Sequence, residues 1–230
     1  MTTLVLLPGL DGTGGLFADF VAALPADITT TVIAYPNSLL LDYAALEAFV
    51  RERLPDRPFV LLAESFSGPI GLAIAAAPPP QLRGLVLCCT FAKLPFPFAR
   101  WMRHLVRAAP MAMLPQSSLD VALLGGQASA PLRARFAATL ATVAPEVLKH
   151  RALQALQVDV TARLPDIQVP TLYLRARRDR LIGWRALRLL GNGVSSLQTL
   201  SFDAPHFLLQ VRPVEAAAAV SGFVRATIDR

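Results

Sequence analysis

Pro58-Phe59-Val60-Leu61-Leu62-Ala63-Glu64-Ser65-Phe66-Ser67-Gly68 joins a continuously apolar run to a cluster of small residues. The run Pro58–Ala63 has the pattern of a parallel strand buried on both faces. From Ser67 to Ala77 the pattern is helical, and it stops at Pro78-Pro79-Pro80. A serine at so tight a strand-to-helix junction holds its Oγ above the sheet edge. Small residues two positions away on either side, here Ala63 and Ser67, let strand and helix backbones approach. The helix N-terminus would aim its free N–H groups and the positive end of its dipole at that serine. A serine here also serves as an ordinary helix N-cap. Either use places a strand, a turn and a helix in succession.

The same alternation extends outward. Further strands are predicted at Thr3–Leu7, Thr29–Ala34, Gly84–Cys89, Thr171–Arg175 and Leu197–Phe202, and helices at Leu16–Leu24, Tyr43–Leu54 and Pro213–Ile228. This β-α-β-α succession predicts an α/β fold: a mostly parallel sheet of about six strands with helices on both faces. Between Ala92 and Pro165 no strand signal occurs. Helices are predicted there at Ala99–Ala108, Ser118–Leu124, Pro131–Val143 and Pro145–Val158, after the segment Leu94-Pro95-Phe96-Pro97-Phe98. The organisation expected is a core of 1–91 and 166–230 carrying an inserted helical cap, 92–165.

A serine is a poor nucleophile until a base takes its proton, and the base needs a third group to orient it. Of the three histidines, His104 and His150 fall in inserted helices among arginines, where packing or solvation suffices. His206 lies in Asp203-Ala204-Pro205-His206-Phe207, after a strand, where α/β sheets place function. The acid candidate is Asp179 in Arg175-Ala176-Arg177-Arg178-Asp179-Arg180, which could instead serve in a surface ion pair. Asp203 is the rival acid, and Asp166 precedes its strand and belongs at the opposite sheet edge. The order Ser65, Asp179, His206, each after a different strand, is the Ser…Asp…His order of one known hydrolytic arrangement. Acyl transfer also needs donors for a developing oxyanion. Phe66 N–H follows from the junction. Leu10 N–H is the natural second donor, from Pro8-Gly9-Leu10-Asp11-Gly12-Thr13-Gly14-Gly15. The glycine spacing there fits neither phosphate-loop motif, which argues against nucleotide binding.

Three segments carry a family resemblance: Leu6-Leu7-Pro8-Gly9-Leu10-Asp11-Gly12-Thr13-Gly14, Ala63-Glu64-Ser65-Phe66-Ser67-Gly68 and Pro205-His206-Phe207-Leu208. They resemble the oxyanion turn, nucleophile elbow and histidine loop of the α/β-hydrolase superfamily, in the style of small bacterial carboxylesterases such as the pimeloyl-acyl-carrier-protein methyl ester esterases. The elbow departs from G-x-S-x-G at both outer positions, Pro8-Gly9 stands where many relatives have His-Gly, and the leading antiparallel hairpin is expected to be absent. The resemblance implies a serine esterase working through an acyl-enzyme, with no cofactor and no metal. An acyltransferase on the same three residues, or a non-catalytic hydrolase-like binding protein, are the alternatives.

At 230 residues and 54% hydrophobic, the chain can bury a full core, which excludes intrinsic disorder. Adjacent Cys88 and Cys89 make neither a disulfide framework nor a metal motif. With no signal peptide and no run of ~20 apolar residues, a soluble cytoplasmic protein is expected. The formal charge is +6, and 20 of the 22 basic residues are arginine. The insertion holds nine basic residues against three acids, so the whole excess falls there. Arg100, Arg103, Arg107, Arg133 and Arg135 are candidates for docking an acidic acyl carrier protein, as the resemblance suggests; a solvated face is the plainer use. No motif supports nucleic-acid binding. Phe91, Phe96, Phe98, Trp101, Met102, Met111, Met113 and Phe136 are candidates to line a site for an acyl or alkyl chain.

Overall fold

The structure, a computed structural model, describes residues 2–94, 103–104, 106–107 and 123–228. Six strands form one sheet: β1 (Thr2–Leu7), β2 (Ile28–Val32), β3 (Phe59–Glu64), β4 (Leu82–Cys88), β5 (Thr171–Ala176) and β6 (Leu197–Phe202). They lie in the order β2-β1-β3-β4-β5-β6, and every neighbouring pair is parallel. The winding direction reverses between β1 and β3. Ligands in such sheets sit beyond the C-terminal strand ends at that reversal. Both the turn after β1 and the Ser65 junction after β3 are there.

The sheet is apolar on both faces because successive side chains alternate. Val5, Leu7, Leu61, Ala63, Leu85, Leu87 and Tyr173 share one core. It is covered by α2 (Tyr43–Arg51), α3 (Gly68–Ala76) and α6 (Trp184–Gly193). Leu4, Leu6, Val60, Leu62, Val86, Cys88 and Leu174 share the other, covered by α1 (Ala18–Ala22), α7 (Leu208–Val211) and α8 (Pro213–Ile228). Cys88 and Cys89 are buried free thiols. Edge strand β6 is mostly exposed, and it carries Gln198, Thr199 and Ser201.

Local chemistry sets the helix starts. The Asp42 carboxylate accepts the Ala45 N–H at 2.8 Å and caps α2. Strand ends differ from the sequence reading by a residue or two. Helix α6 was not among the predicted elements.

Between β4 and β5 the described residues include α4 (Ala130–Ala141) and α5 (Pro145–Ala155). The Ser129 hydroxyl caps α4 through the Leu132 N–H at 3.3 Å, and each helix has proline in its first turn, where a missing N–H costs little. The two ends of this segment meet: Val160 N–H donates to Ala92 C=O at 3.1 Å, and Lys93 pairs with Asp159 at 2.6 Å. Most of the predicted helices Ala99–Ala108 and Ser118–Leu124 lies outside the described residues, as do Phe96, Phe98, Arg100, Trp101, Met102, Met111 and Met113.

Candidate active site

Ser65 has φ +48°, a left-handed conformation that non-glycine residues rarely adopt. Its surroundings enforce it. A Cβ on Gly71 would stand 2.7 Å from the Ala63 Cβ. The small-residue requirement is therefore met across the strand–helix contact, by Ala63 on β3 and Gly71 on α3. The Thr90 hydroxyl donates to the Ser65 carbonyl. In a trans peptide the N–H points away from its C=O, so this bond turns Phe66 N–H to the opposite side. Tyr43 donates its hydroxyl to the Phe66 carbonyl at 2.9 Å and stacks on the Phe66 ring at 4.9 Å.

His206 Nε2 lies 2.8 Å from Ser65 Oγ, and its Nδ1 lies 2.8 Å from Asp179 Oδ2. With Asp179 ionised, Nδ1 carries the proton and Nε2 is left free to accept from the serine hydroxyl. The other Asp179 oxygen accepts Leu181 N–H at 2.8 Å and Ile182 N–H at 2.9 Å. The His206 and Asp179 side chains are only 2% and 3% exposed. The surface ion pair open to Asp179 from the sequence is made instead by Asp203, which binds Arg178 through two contacts of 2.6 Å. Both of those side chains are more than half exposed. Asp166 ends the turn Thr161–Asp166 before β5, at the opposite sheet edge.

The histidine loop is gripped from the inserted segment. Phe207 N–H donates to Leu123 C=O at 3.1 Å, and the Phe136 ring meets the Phe207 ring edge-on at 5.3 Å. Phe136 is buried with Leu16, Leu124, Ala128 and Leu132. Phe91 is buried just beyond β4.

In the turn after β1, each carbonyl from Pro8 to Gly12 has a partner. Pro8 C=O accepts the Ser67 hydroxyl, which also lies 2.5 Å from the Tyr35 hydroxyl. Gly9 C=O accepts Gly12 N–H at 3.0 Å. Leu10 C=O and Asp11 C=O accept from Arg151 on α5, at 3.0 and 2.6 Å. Gly12 C=O accepts Tyr35 N–H at 2.7 Å. Because Gly9 C=O is tied inside the turn, Leu10 N–H points the other way, as Phe66 N–H does. Gly12 has φ +74°, and a Cβ there would overlap the Arg151 guanidinium.

Glu64, beside Ser65 in sequence, is buried, and its carboxyl accepts Gln210 Nε2 at 2.9 Å. Burial pushes that carboxyl up to about 7, against the opposing pull of the Gln210 bond. Burial likewise raises the Tyr35 phenol and lowers the Arg151 guanidinium from their usual values.

Sequence reasoning missed Tyr35, Thr90 and Arg151 as parts of this site, and it read Ser67 only as a small flanking residue, not as a hydroxyl bound to the Pro8 carbonyl and Tyr35. The basic residues of the insertion are largely engaged within the chain: Lys93 with Asp159, Arg135 with Asp19 at 2.8 Å, Arg163 with Glu47 at 3.1 Å, and Lys149 on the Arg107 carbonyl at 2.5 Å. Arg107 and Arg133 are exposed, and Arg103 is half-buried. Among the described residues no cluster could hold a metal ion, and no helix is long and apolar enough to cross a membrane.

The family model for serine aminopeptidase, S33, matches residues 29–204. No curated protein matches the chain. Similar solved structures include an esterase from Exiguobacterium antarcticum, with TM-score 0.85 and 14% identity over 98% of this chain and 92% of that one. A hydrolase from Pseudomonas aeruginosa PA01 gives 0.82 and 22% over 97% and 89%. An enol-lactonase from Burkholderia xenovorans LB400 gives 0.76 and 19% over 100% and 92%. At these identities the likeness to the solved structures is one of fold.

Proposed function

The chain belongs to the serine aminopeptidase S33 family of α/β-hydrolases, and from that premise we propose that it cleaves carboxylic esters of acyl or short alkyl groups through an acyl-enzyme. The observation that carries the proposal is the unbroken chain from Ser65 Oγ to His206 to Asp179, each link 2.8 Å. His206 Nε2 takes the Ser65 proton as Oγ attacks the ester carbonyl carbon. The carbonyl electron pair moves onto oxygen, where Leu10 and Phe66 N–H groups receive it. Asp179 stabilises the imidazolium. His206 then returns its proton to the departing alkoxide, leaving acyl-Ser65 and a free alcohol. Water, deprotonated by His206, attacks the acyl carbon and releases the acid and Ser65. No step calls on a cofactor or metal.

The test is labelling by a fluorophosphonate probe, followed by turnover of aryl and methyl esters of increasing chain length. Wild type should label and turn over, and Ser65→Ala should lose at least about 10⁴-fold in kcat. Labelling that survives Ser65→Ala would discard the assignment. The family's name raises a peptidase reading, which predicts faster cleavage of aminoacyl anilides than of aryl esters. Turnover only with an added alcohol or thiol would instead mark an acyltransferase. Docking of an acidic carrier is supported by the basic excess of the insertion and by exposed Arg107 and Arg133. It predicts that a carrier-linked ester loses turnover steeply with salt while a small free ester does not.

A further inference from the structure

Arg151 is almost fully buried, at 2% exposed, yet forms no salt bridge among the described residues. Burying a guanidinium that no carboxylate contacts is costly, and the nearby Asp11 charge offsets only part of that cost. What it binds instead is backbone. Nη1 donates to Leu10 C=O and Asp11 C=O, Nη2 donates to Pro36 C=O at 2.9 Å, and the guanidinium lies over the Tyr35 ring at 5.7 Å from its centroid. Leu10 and Asp11 are the two central residues of the turn closed by the Gly12 N–H to Gly9 C=O bond. The central peptide of this turn is Leu10–Asp11; Arg151 grips its carbonyl and the one after it, so the turn cannot flip or open without breaking both bonds. Its planar fork, carried on a helix about 140 residues away in sequence, can reach all three carbonyls; a lysine, with one charged nitrogen, cannot hold the same geometry.

From this arrangement we infer that Arg151 is the positioning residue of the oxyanion turn: a guanidinium supplied by the inserted helix α5 that fixes the Leu10 and Asp11 carbonyls and so keeps closed the Gly9–Gly12 turn, whose closing bond sets the direction of the Leu10 N–H. The inference rests on Leu10 N–H being an oxyanion donor, as the proposed function has it. It gives the insertion a part in the chemical step, since displacing α5 would release the turn. Arg151 touches no reacting atom, and its effect passes through the closed Gly9–Gly12 turn.

The experiment uses the full chain with Arg151→Met, Arg151→Lys and Arg151→Ala. It reads kcat and KM for an aryl ester, the rate of fluorophosphonate labelling, the urea midpoint, and hydrogen–deuterium exchange over residues 8–14 and 60–70. In Arg151→Met, kcat should fall about 10²-fold with KM within about twofold, and labelling should slow in parallel. Exchange should quicken over 8–14 and hold over 60–70. Arg151→Lys should keep part of the rate, and millimolar guanidinium should restore part of the kcat of Arg151→Ala without moving its urea midpoint. A kcat within about threefold of wild type in Arg151→Met, or a loss that tracks only the unfolded fraction, overturns the inference. If wild type shows no Ser65-dependent labelling, the hydrolase reading fails, and exchange over 8–14 alone decides whether Arg151 holds the turn: unchanged exchange overturns it.

Discussion

The sheet and the inserted helices serve the same site by different means. The sheet supplies the side chains of the proposed chemistry: Ser65, Asp179 and His206 follow β3, β5 and β6, three parallel strands whose C-terminal ends share one edge. The insertion supplies restraint. Arg151 of α5 holds carbonyls of the β1 turn, and Leu123 and Phe136 hold the histidine loop through Phe207. The sheet's contribution is chemical. The insertion's is mechanical and long-range, reaching both sides of the serine. Changes in the sheet-derived groups should therefore abolish turnover in a folded protein, while changes in the insertion should trade stability and rate together, except where a side chain grips the turn itself.

The largest separation comes from the two aspartates of neighbouring loops. Asp179→Asn keeps the shape but offers His206 Nδ1 a donor instead of an acceptor, which favours the wrong tautomer. We expect kcat to fall about 10⁴-fold with the melting temperature little changed. Asp203→Asn breaks only the exposed pair with Arg178, worth at most about 1 kcal/mol, and should leave turnover within about twofold. Steady-state kinetics on the two variants decide it. Equal losses would mean that burial does not distinguish the two acids.

That pair also shows what the residues alone disclosed. The continuous apolar runs of the central strands and the proline stops exposed the parallel sheet, because burial on both faces leaves few polar positions within those strands. Ser65, His206 and Asp179 were legible as candidates because each follows a predicted strand. The choice of Asp179 over Asp203 could be argued from the chain but not seen in it, since it depends on which loop the histidine reaches. Helix α6 went unpredicted although Ala186, Leu187 and Leu190 form its apolar stripe; ten residues ending in Gly191-Asn192-Gly193 carry too short a period. The exchange of small residues between Ala63 and Gly71 was hidden, because the two positions meet only when α3 packs on β3. Arg151 was least legible of all. In Lys149-His150-Arg151 it reads like any solvated helix arginine, and only the tertiary fold buries it against backbone carbonyls.

A smaller effect tests the insertion's hold on the histidine loop. Phe136 is 4% exposed, and its ring is packed against Phe207. Phe136→Ala removes a buried aromatic and should cost about 3 kcal/mol in urea unfolding. It should also slow turnover about tenfold by loosening the loop that carries His206, far less than Asp179→Asn. Loss of stability with kcat unchanged would show that the loop keeps its geometry without the insertion, and would confine the insertion's role to the β1 turn.

The smallest expected effect concerns the sheet's one buried carboxyl that takes no part in the proposed chemistry. Glu64 ends β3, binds Gln210, and shares the surroundings of Gly9 with Asp11: Glu64 Oε2 and Asp11 Oδ2 each lie 3.8 Å from where a Gly9 Cβ would stand. Burial is the main cause of its raised pKa of about 7; the Asp11 charge adds to the rise, and His206 and the Gln210 bond oppose it. An exposed glutamate titrates near 4.5. Between those values the folded chain keeps a proton that the unfolded chain has released, so stability falls as pH rises from about 4.5 to about 7 and stays lower above. Glu64→Gln removes that titration while keeping a polar partner for Gln210. Relative to wild type it should gain little near pH 4.5 and about 3 kcal/mol by pH 8, measured as the difference in urea unfolding free energy at the two pH values. A pH-independent difference would mean that Glu64 is held charged in the fold by a group facing it, and the sheet side of the site would then carry an electrostatic restraint of its own, as the turn does through Arg151.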